Sequence, residues 1–250
     1  MYQKLYNSCN KSNSDIAVCN RKVFDESGNE KTIVNVSSQE IHVDNENLID
    51  YIVDKLFYPH TVVVYNKIFK RSILSTNNIK FKEVNQVGSE DALFNYQVLF
   101  HISKIIEVSS TNHNQLAREG STARSYKIGA MTRTSGLIEE IYKYFSENGN
   151  DEISSILAPI NLLFFQQWNY NLIKTYGENN LKKNLFEEHI LIRDNLYFKR
   201  AEKEFILKKG LTRYVKKMGY SDKGILFMKL YMFFDLLNMS KLAVQIRCWC

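Results

Sequence analysis

Apolar and polar positions change their spacing once along this chain, near residue 125. Before that point short β-like runs alternate with helical stretches. Asp15-Ile16-Ala17-Val18-Cys19-Asn20 predicts a short buried strand, and Thr32-Ile33-Val34-Asn35-Val36 a second one across the polar turn Asp25-Glu26-Ser27-Gly28-Asn29-Glu30. Asp44 and Asn45 are N-cap types ahead of a helix whose apolar face is Leu48, Ile49, Ile52, Val53, Leu56 and Phe57. The β-branched run Thr61-Val62-Val63-Val64-Tyr65 predicts a strand, followed by a short helix from Ile68 to Leu74. Ser89-Glu90-Asp91 opens a helix with Leu93, Phe94, Val98 and Leu99 as its buried stripe. Ile102 to Val108 supplies another strand, and Ser109 to Tyr126 reads as a polar loop.

Beyond it the periodicity is helical: Leu137 to Phe145, Ile153 to Tyr176, Leu181 to Ile192, Glu202 to Met218 and Gly224 to Leu237. The expected fold class is therefore α/β for residues 1–125, followed by an all-α section over 126–250. No internal repeat or low-complexity tract interrupts either part.

Composition supports a packed protein. Hydrophobic residues make up 44%, and only 2 Pro and 10 Gly are present, which favours long helices over a turn-rich sandwich. The net charge of +6 suits anionic partners such as phosphate-bearing substrates or an anionic membrane surface. It is mild and evenly spread, and no basic-aromatic motif or zinc-finger spacing accompanies it, so nucleic acid is not an expected partner. Cys9, Cys19, Cys248 and Cys250 form no disulfide framework, and a reduced, cytoplasmic protein is the economical reading. Met1 to Ser14 is too polar for a signal peptide. The apolar run from Ile225 to Leu237 is interrupted by Lys229 and Asp235, too short and too charged to span a bilayer.

Three short motifs carry candidate chemistry. Asn66-Lys67, with Lys70-Arg71 and Leu74 after it, places an amide and a cation at a strand-to-helix junction, where α/β folds bind ligands; alone it is equally a solvated turn. Glu90-Asp91 puts two carboxylates in the first turn of a helix, where the dipole keeps them ionised and a general base can stand; alone the pair is ordinary capping acid. Arg118-Glu119-Gly120-Ser121 offers a tight turn whose cation and amides can hold an anion or a sugar hydroxyl; alone it is a surface loop.

Taken in order, these motifs resemble the second half of family 2 glycosyltransferases: Asn66-Lys67 with Lys70-Arg71 and Leu74, then Ile79-Lys80-Phe81, then Glu90-Asp91 with Phe94, an apolar strand, and Arg118 with Gly120-Ser121. Leu5-Tyr6 and Asp15 to Asn20 look like the segment that follows the family's metal-binding Asp-x-Asp. The resemblance implies a GT-A fold, here a partial GT-A-like sheet with flanking helices. It implies transfer of a sugar from a nucleoside diphosphate to an acceptor hydroxyl with inversion, assisted by a divalent cation, Mn or Mg. Asp91 would be the base and Glu90 its neighbour at the boundary between donor and acceptor. Asn66 and Lys67 would shape the cleft floor, and Arg118 and Ser121 would lie on a loop closing over the substrates.

The chain departs from the family pattern in one large respect. No Asp-x-Asp occurs in it, so no metal ligand is assigned and the nucleotide-binding front is expected upstream of Met1. Asp44-Asn45-Glu46, the nearest acidic run, reads as a helix cap. The expected partners are a nucleotide sugar and a glycan acceptor, in cell-surface polysaccharide or glycan synthesis, and a chain covering the open edge of a parallel sheet. On this reading the truncated chain would be inactive alone. Two alternatives differ in class. One is a non-catalytic remnant that grips a glycan or a partner enzyme. The other is a peripheral membrane module working through Arg213, Lys216, Lys217 and the apolar run after Gly224, against the plainer reading of helices packed on the domain.

Overall fold

The computed structural model of the chain describes residues 1–55, 62–117, 129–176 and 181–247. The chain divides into two compact units: Met1–Lys82 with Glu90–Ser121, and Glu83–Ser89 with Thr122–Cys250.

The first unit is built on β1 (Ile16–Phe24). Residues 16 to 20 of this strand are all buried, so both of its faces are covered, as the unbroken apolar run requires. β5 (Lys104–Leu116) pairs with β1 in parallel. On the other side of β1, β4 (Lys67–Phe69) runs antiparallel to Ile16–Val18, and β2 (Glu30–Val34) antiparallel to Arg21–Phe24. β3 (Glu40–His42) edges β5. The sheet is thus mixed, not the parallel one expected. One face is closed by α1 (Tyr2–Ser12), whose Leu5 packs on Ala17, Cys19 and Val108. α2 (Leu48–Asp54) and α4 (Glu90–Phe100) pack on each other in the same unit, and α3 (Arg71–Thr76) follows β4.

The sheet has a break at Cys19–Asn20. The pairing with β4 ends at Val18 and that with β2 begins at Arg21. On the β5 side the register jumps from Val108 opposite Cys19 to Asn112 opposite Asn20, which bulges Ser109 to Thr111 out of the ladder. Buried backbone groups left by such a break need other partners. Asn66 supplies them for Cys19: its carbonyl accepts from the Cys19 N–H at 3.0 Å, and its Nδ2 donates to the Cys19 carbonyl at 2.7 Å. Asn20 stitches the next step, donating from Nδ2 to Ser109 O at 2.9 Å and accepting from Val36 N–H at 2.7 Å.

The structure corrects several sequence expectations. Val62 to Tyr65 is not a strand; these residues bend and turn, and the strand comes at Lys67–Phe69, displacing the short helix to Arg71–Thr76. Ser109 to Leu116 is strand, not loop, because β1 extends far enough to pair with it. The cap of α2 is Asn47, while the Asp44 side chain accepts from the N–H groups of Glu46 and Asn47 in the turn before it. Thr61, Leu56 and Phe57 lie outside the described residues, as do Cys248 and Cys250. Cys9 and Cys19 are free thiols, and burial pushes the Cys19 thiol up to about 11.

The second unit is helical: α5 (Ala130–Glu147), α6 (Asp151–Tyr176), α7 (Leu181–Ile192), α8 (Leu196–Leu207), α9 (Leu211–Lys217), α10 (Asp222–Leu236) and α11 (Ser240–Arg247). The single helix expected from Glu202 to Met218 is two, parted by a turn at Lys208–Gly210. α5 and α6 pack tightly, with Leu137, Ile141, Phe145, Leu157 and Leu163 inaccessible to solvent. Gly136 lets segment 83–89 approach α5: a Cβ there would stand 2.0 Å from the Gln86 carbonyl oxygen. Deep among these helices, His189 Nε2 meets Asp235 Oδ1 at 2.5 Å, and the Tyr231 hydroxyl lies 3.1 Å from His189 Nδ1.

Candidate functional site

The break in the sheet brings the first two motifs together. Asn66 is consumed structurally, its side chain and carbonyl both bonded to Cys19, and it is fully buried. Lys67 opens β4 and is buried too; its Nζ donates to Val63 O and lies 3.5 Å from Asn66 Oδ1. Burial pushes the Lys67 ammonium well below the ordinary lysine range, opposed by the Asp91 charge. Lys67 therefore sits under the site, not on a solvated turn.

Asp91 stands in the first turn of α4, half-buried beside Glu90. Burial, then the Glu90 charge, push its carboxyl up to about 6, against the pull of Lys67 and of a hydrogen bond from the Val64 backbone N–H. Two opposed pairs of effects thus leave a carboxylate that is mostly ionised at neutral pH yet basic enough to accept a proton.

A polar and aromatic cluster adjoins it. The Tyr65 phenol is raised by burial and again by the Asp91 charge, with Arg21 acting the other way. Tyr65 Oη donates to Gln115 Oε1 at 3.0 Å. Arg21 donates to the same oxygen from Nε at 3.0 Å and from a terminal nitrogen at 2.6 Å. The guanidinium lies 5.5 Å from the Tyr65 ring centre, and the His113 ring stands 4.5 Å from it. Arg21 and His113 are paired in register on β1 and β5, so their side chains leave the sheet on one face.

Sequence reasoning missed Arg21, His113 and Gln115 because the bulge in β5 places them, and Ser109 to Leu116 was expected as loop. It also missed Asn95, a polar residue inside the apolar stripe of α4. Arg118 and Ser121 lie outside the described residues. Among the described residues no three His, Cys, Asp or Glu side chains come together as a metal set. Nor is any described helix long and apolar enough to cross a membrane.

No protein-family model matches the sequence, and no curated protein matches it. Solved structures do. TarS 1–349 of S. aureus in complex with UDP-GlcNAc is similar with a TM-score of 0.53 and 15% identity, over 91% of this chain and 62% of that one. TarS 1–349 alone is similar with a TM-score of 0.54 and 12% identity, over 97% and 60%. The chain spans about three-fifths of the length of the structures it matches. TarS is a glycosyltransferase, and what this chain shares with it is the fold: an α/β, glycosyltransferase-like arrangement of mixed sheet and flanking helices.

Proposed function

We propose that this chain belongs to a family 2, GT-A-type glycosyltransferase and carries the acceptor side of its reaction. The observation that carries the reading is Asp91: a half-buried carboxyl held near pH 6 at the head of α4, beside the break in the sheet, in a glycosyltransferase-like fold. In the proposed step Asp91 removes the acceptor hydroxyl proton. The freed oxygen attacks the anomeric carbon of a nucleoside diphosphate sugar, and the bond to the diphosphate breaks with its electron pair leaving on phosphate. Attack opposite the leaving group inverts the configuration. Arg21, Tyr65, His113 and Gln115 form a half-exposed platform of rings and donors suited to a sugar acceptor. The Mn or Mg ion such transfers use to neutralise the diphosphate has no ligand set among the described residues, so these residues account for acceptor activation alone. Synthesis of a cell-surface polysaccharide or glycan, from the cytoplasmic side, fits this chemistry.

UDP-GlcNAc, the nucleotide sugar held by TarS, is the first donor to try. Isothermal titration of the chain with uridine diphosphate and manganese, followed by transfer assays with Asp91→Asn in a version extended by a nucleotide-binding front, tests the reading. Transfer that survives Asp91→Asn at the original rate removes Asp91 as the base. The same platform favours a second reading, a glycan-binding remnant without turnover; glycan binding with no nucleotide binding at any manganese concentration would select it.

A further inference from the structure

Asn95 lies one turn beyond Asp91 on α4, is almost fully buried, and has no part in the step above. Its Nδ2 donates to the carbonyl of Asp91 at 2.8 Å and to Val63 O at 3.3 Å. Lys67 Nζ donates to the same Val63 oxygen from β4. Val63 O is thereby gripped by two buried donors from different elements.

The consequence follows from peptide geometry. The Val63 carbonyl and the Val64 N–H belong to one planar trans peptide and point in opposite directions. Fixing the oxygen aims the N–H, and the Val64 N–H is among the groups that pull the Asp91 carboxyl down. A strand ladder would have spent these groups on neighbouring strands. Here residues 62 to 66 are turned out of the sheet, and the freed peptide is held by side chains.

We propose that Asn95, together with Lys67, clamps the Val63–Val64 peptide and so positions the Asp91 carboxylate, Asn95 being a positioning residue for the base. The inference rests on the reading of Asp91 as that base. The plainer role for Asn95, a buried amide that only ties down a loop, predicts no effect on Asp91 in variants that stay folded.

The groups acting on Asp91 are Glu90 on its own helix, Lys67 on β4, and the Tyr65 phenol with Arg21 behind it. Substituting Asn95 adds or removes none of these charges. The experiment is NMR titration of the full chain labelled with carboxyl-13C aspartate and 15N, the Asp91 signal assigned by its loss in Asp91→Asn. In the unsubstituted chain the Val64 amide must titrate with the Asp91 midpoint. Asn95→Ala removes both bonds. Asn95→Ser keeps a short donor for the Asp91 carbonyl within the helix but cannot reach Val63 O. Each variant should raise the Asp91 midpoint by about half a pH unit or more, since a donor to the charged form is loosened, and should uncouple the Val64 amide. Unchanged midpoint and coupling in a folded variant overturn the clamp. A Val64 amide blind to Asp91 in the unsubstituted chain overturns it without any variant. In turnover, the acid limb of kcat/KM should move with the midpoint. A profile with no Asp91 limb would remove the base assignment while the NMR coupling stayed intact, so the two failures are distinct.

Discussion

Asn95 Nδ2 donates to Val63 O at 3.3 Å, joining the turn before β4 to α4 one turn beyond Asp91. The Lys67 charge and, after it, the Val64 N–H of that same peptide oppose the burial and the Glu90 charge that raise the Asp91 carboxyl to about 6.

The raised value has a cost in stability. The Asp91 carboxyl has an ordinary value of 3.8, so the folded protein holds this proton more tightly than the unfolded chain. Its contribution to stability is fully present below about pH 4 and is lost as pH rises through about 6. Asp91→Asn should therefore raise the melting temperature at pH 7, with no gain at pH 4, while reducing transfer by about a hundredfold or more. If Asp91 is the base proposed above, kcat/KM for transfer should rise with pH through about 6. Thermal melts at the two pH values and a pH–rate profile check these outcomes; a variant less stable at pH 7 would mean that Asp91 is a capping acid.

How far the sequence reached depends on which forces set each element. β1 and α10 follow from apolar runs, and the head of α4, the start of β5 and most of α5 to α9 from apolar periodicity, since each of these buries a stripe. α1 escaped because its hold on the sheet is a single fully buried side chain, Leu5, among polar neighbours. β3 and the far half of β5 are polar segments made strands by pairing alone. The opposite error befell Val62 to Tyr65, whose β-branched run looks like a strand but whose peptide groups serve Asn95, Lys67 and Asp91 instead. Asn66, Lys67 and Asp91 were visible as residue types. Their meeting at a break in the sheet was not, because the break arises from where β4 ends and β2 begins.

Glu202 on α8 is fully buried and faces Asp235 on α10. Burial, with the Asp235 charge, holds its carboxyl well above the ordinary range. Among the described residues no other donor serves either Glu202 oxygen, so the contact with Asp235 becomes a hydrogen bond only when the pair holds a proton between them. Stability from this group is complete at low pH and declines as pH rises past the unfolded value of about 4.5. Glu202→Gln, which stays neutral and keeps a donor, should flatten that decline in denaturant titrations between pH 5 and pH 8. Glu202→Ala should cost about 2–4 kcal/mol near pH 5, through the cavity it leaves, and less as pH rises toward 8. A Gln variant with the same pH slope as the original would show that Glu202 is ionised.

Gly136 should tolerate no side chain. It lies inside α5, where glycine weakens a helix by about 1 kcal/mol relative to alanine, so an exposed position would gain from Gly136→Ala. The added Cβ would instead meet the Gln86 carbonyl oxygen at 2.0 Å, a backbone atom that cannot swing aside. Gly88 N–H donates to Arg133 O at 3.0 Å and ties the same segment down. The variant should lose about 3 kcal/mol in equilibrium unfolding. An unchanged or higher stability would mean that segment 83–89 stands off α5 in solution.

The helix α10 is apolar on both sides. Ile225, Met228, Tyr231 and Met232 are buried, while Leu226, Leu230, Phe233 and, just past its end, Leu237 are exposed. At about 100° per residue these four fall in one narrow stripe, flanked on either side by Lys223 and Lys229. All of the net charge belongs to this unit: residues 83–89 and 122–250 hold 20 Lys and Arg against 14 Asp and Glu, and the first unit holds 13 of each. An apolar stripe between cations is what an anionic bilayer surface takes up, and helix packing within the unit leaves it open. The chain should float with vesicles containing about a third anionic lipid but not with neutral ones, and about 0.5 M salt should weaken the association. Phe233→Glu should abolish flotation without loss of helicity by circular dichroism. A chain that stays at the bottom of the gradient with both vesicle types, or that forms a dimer broken by Phe233→Glu, would assign the stripe to a protein partner instead.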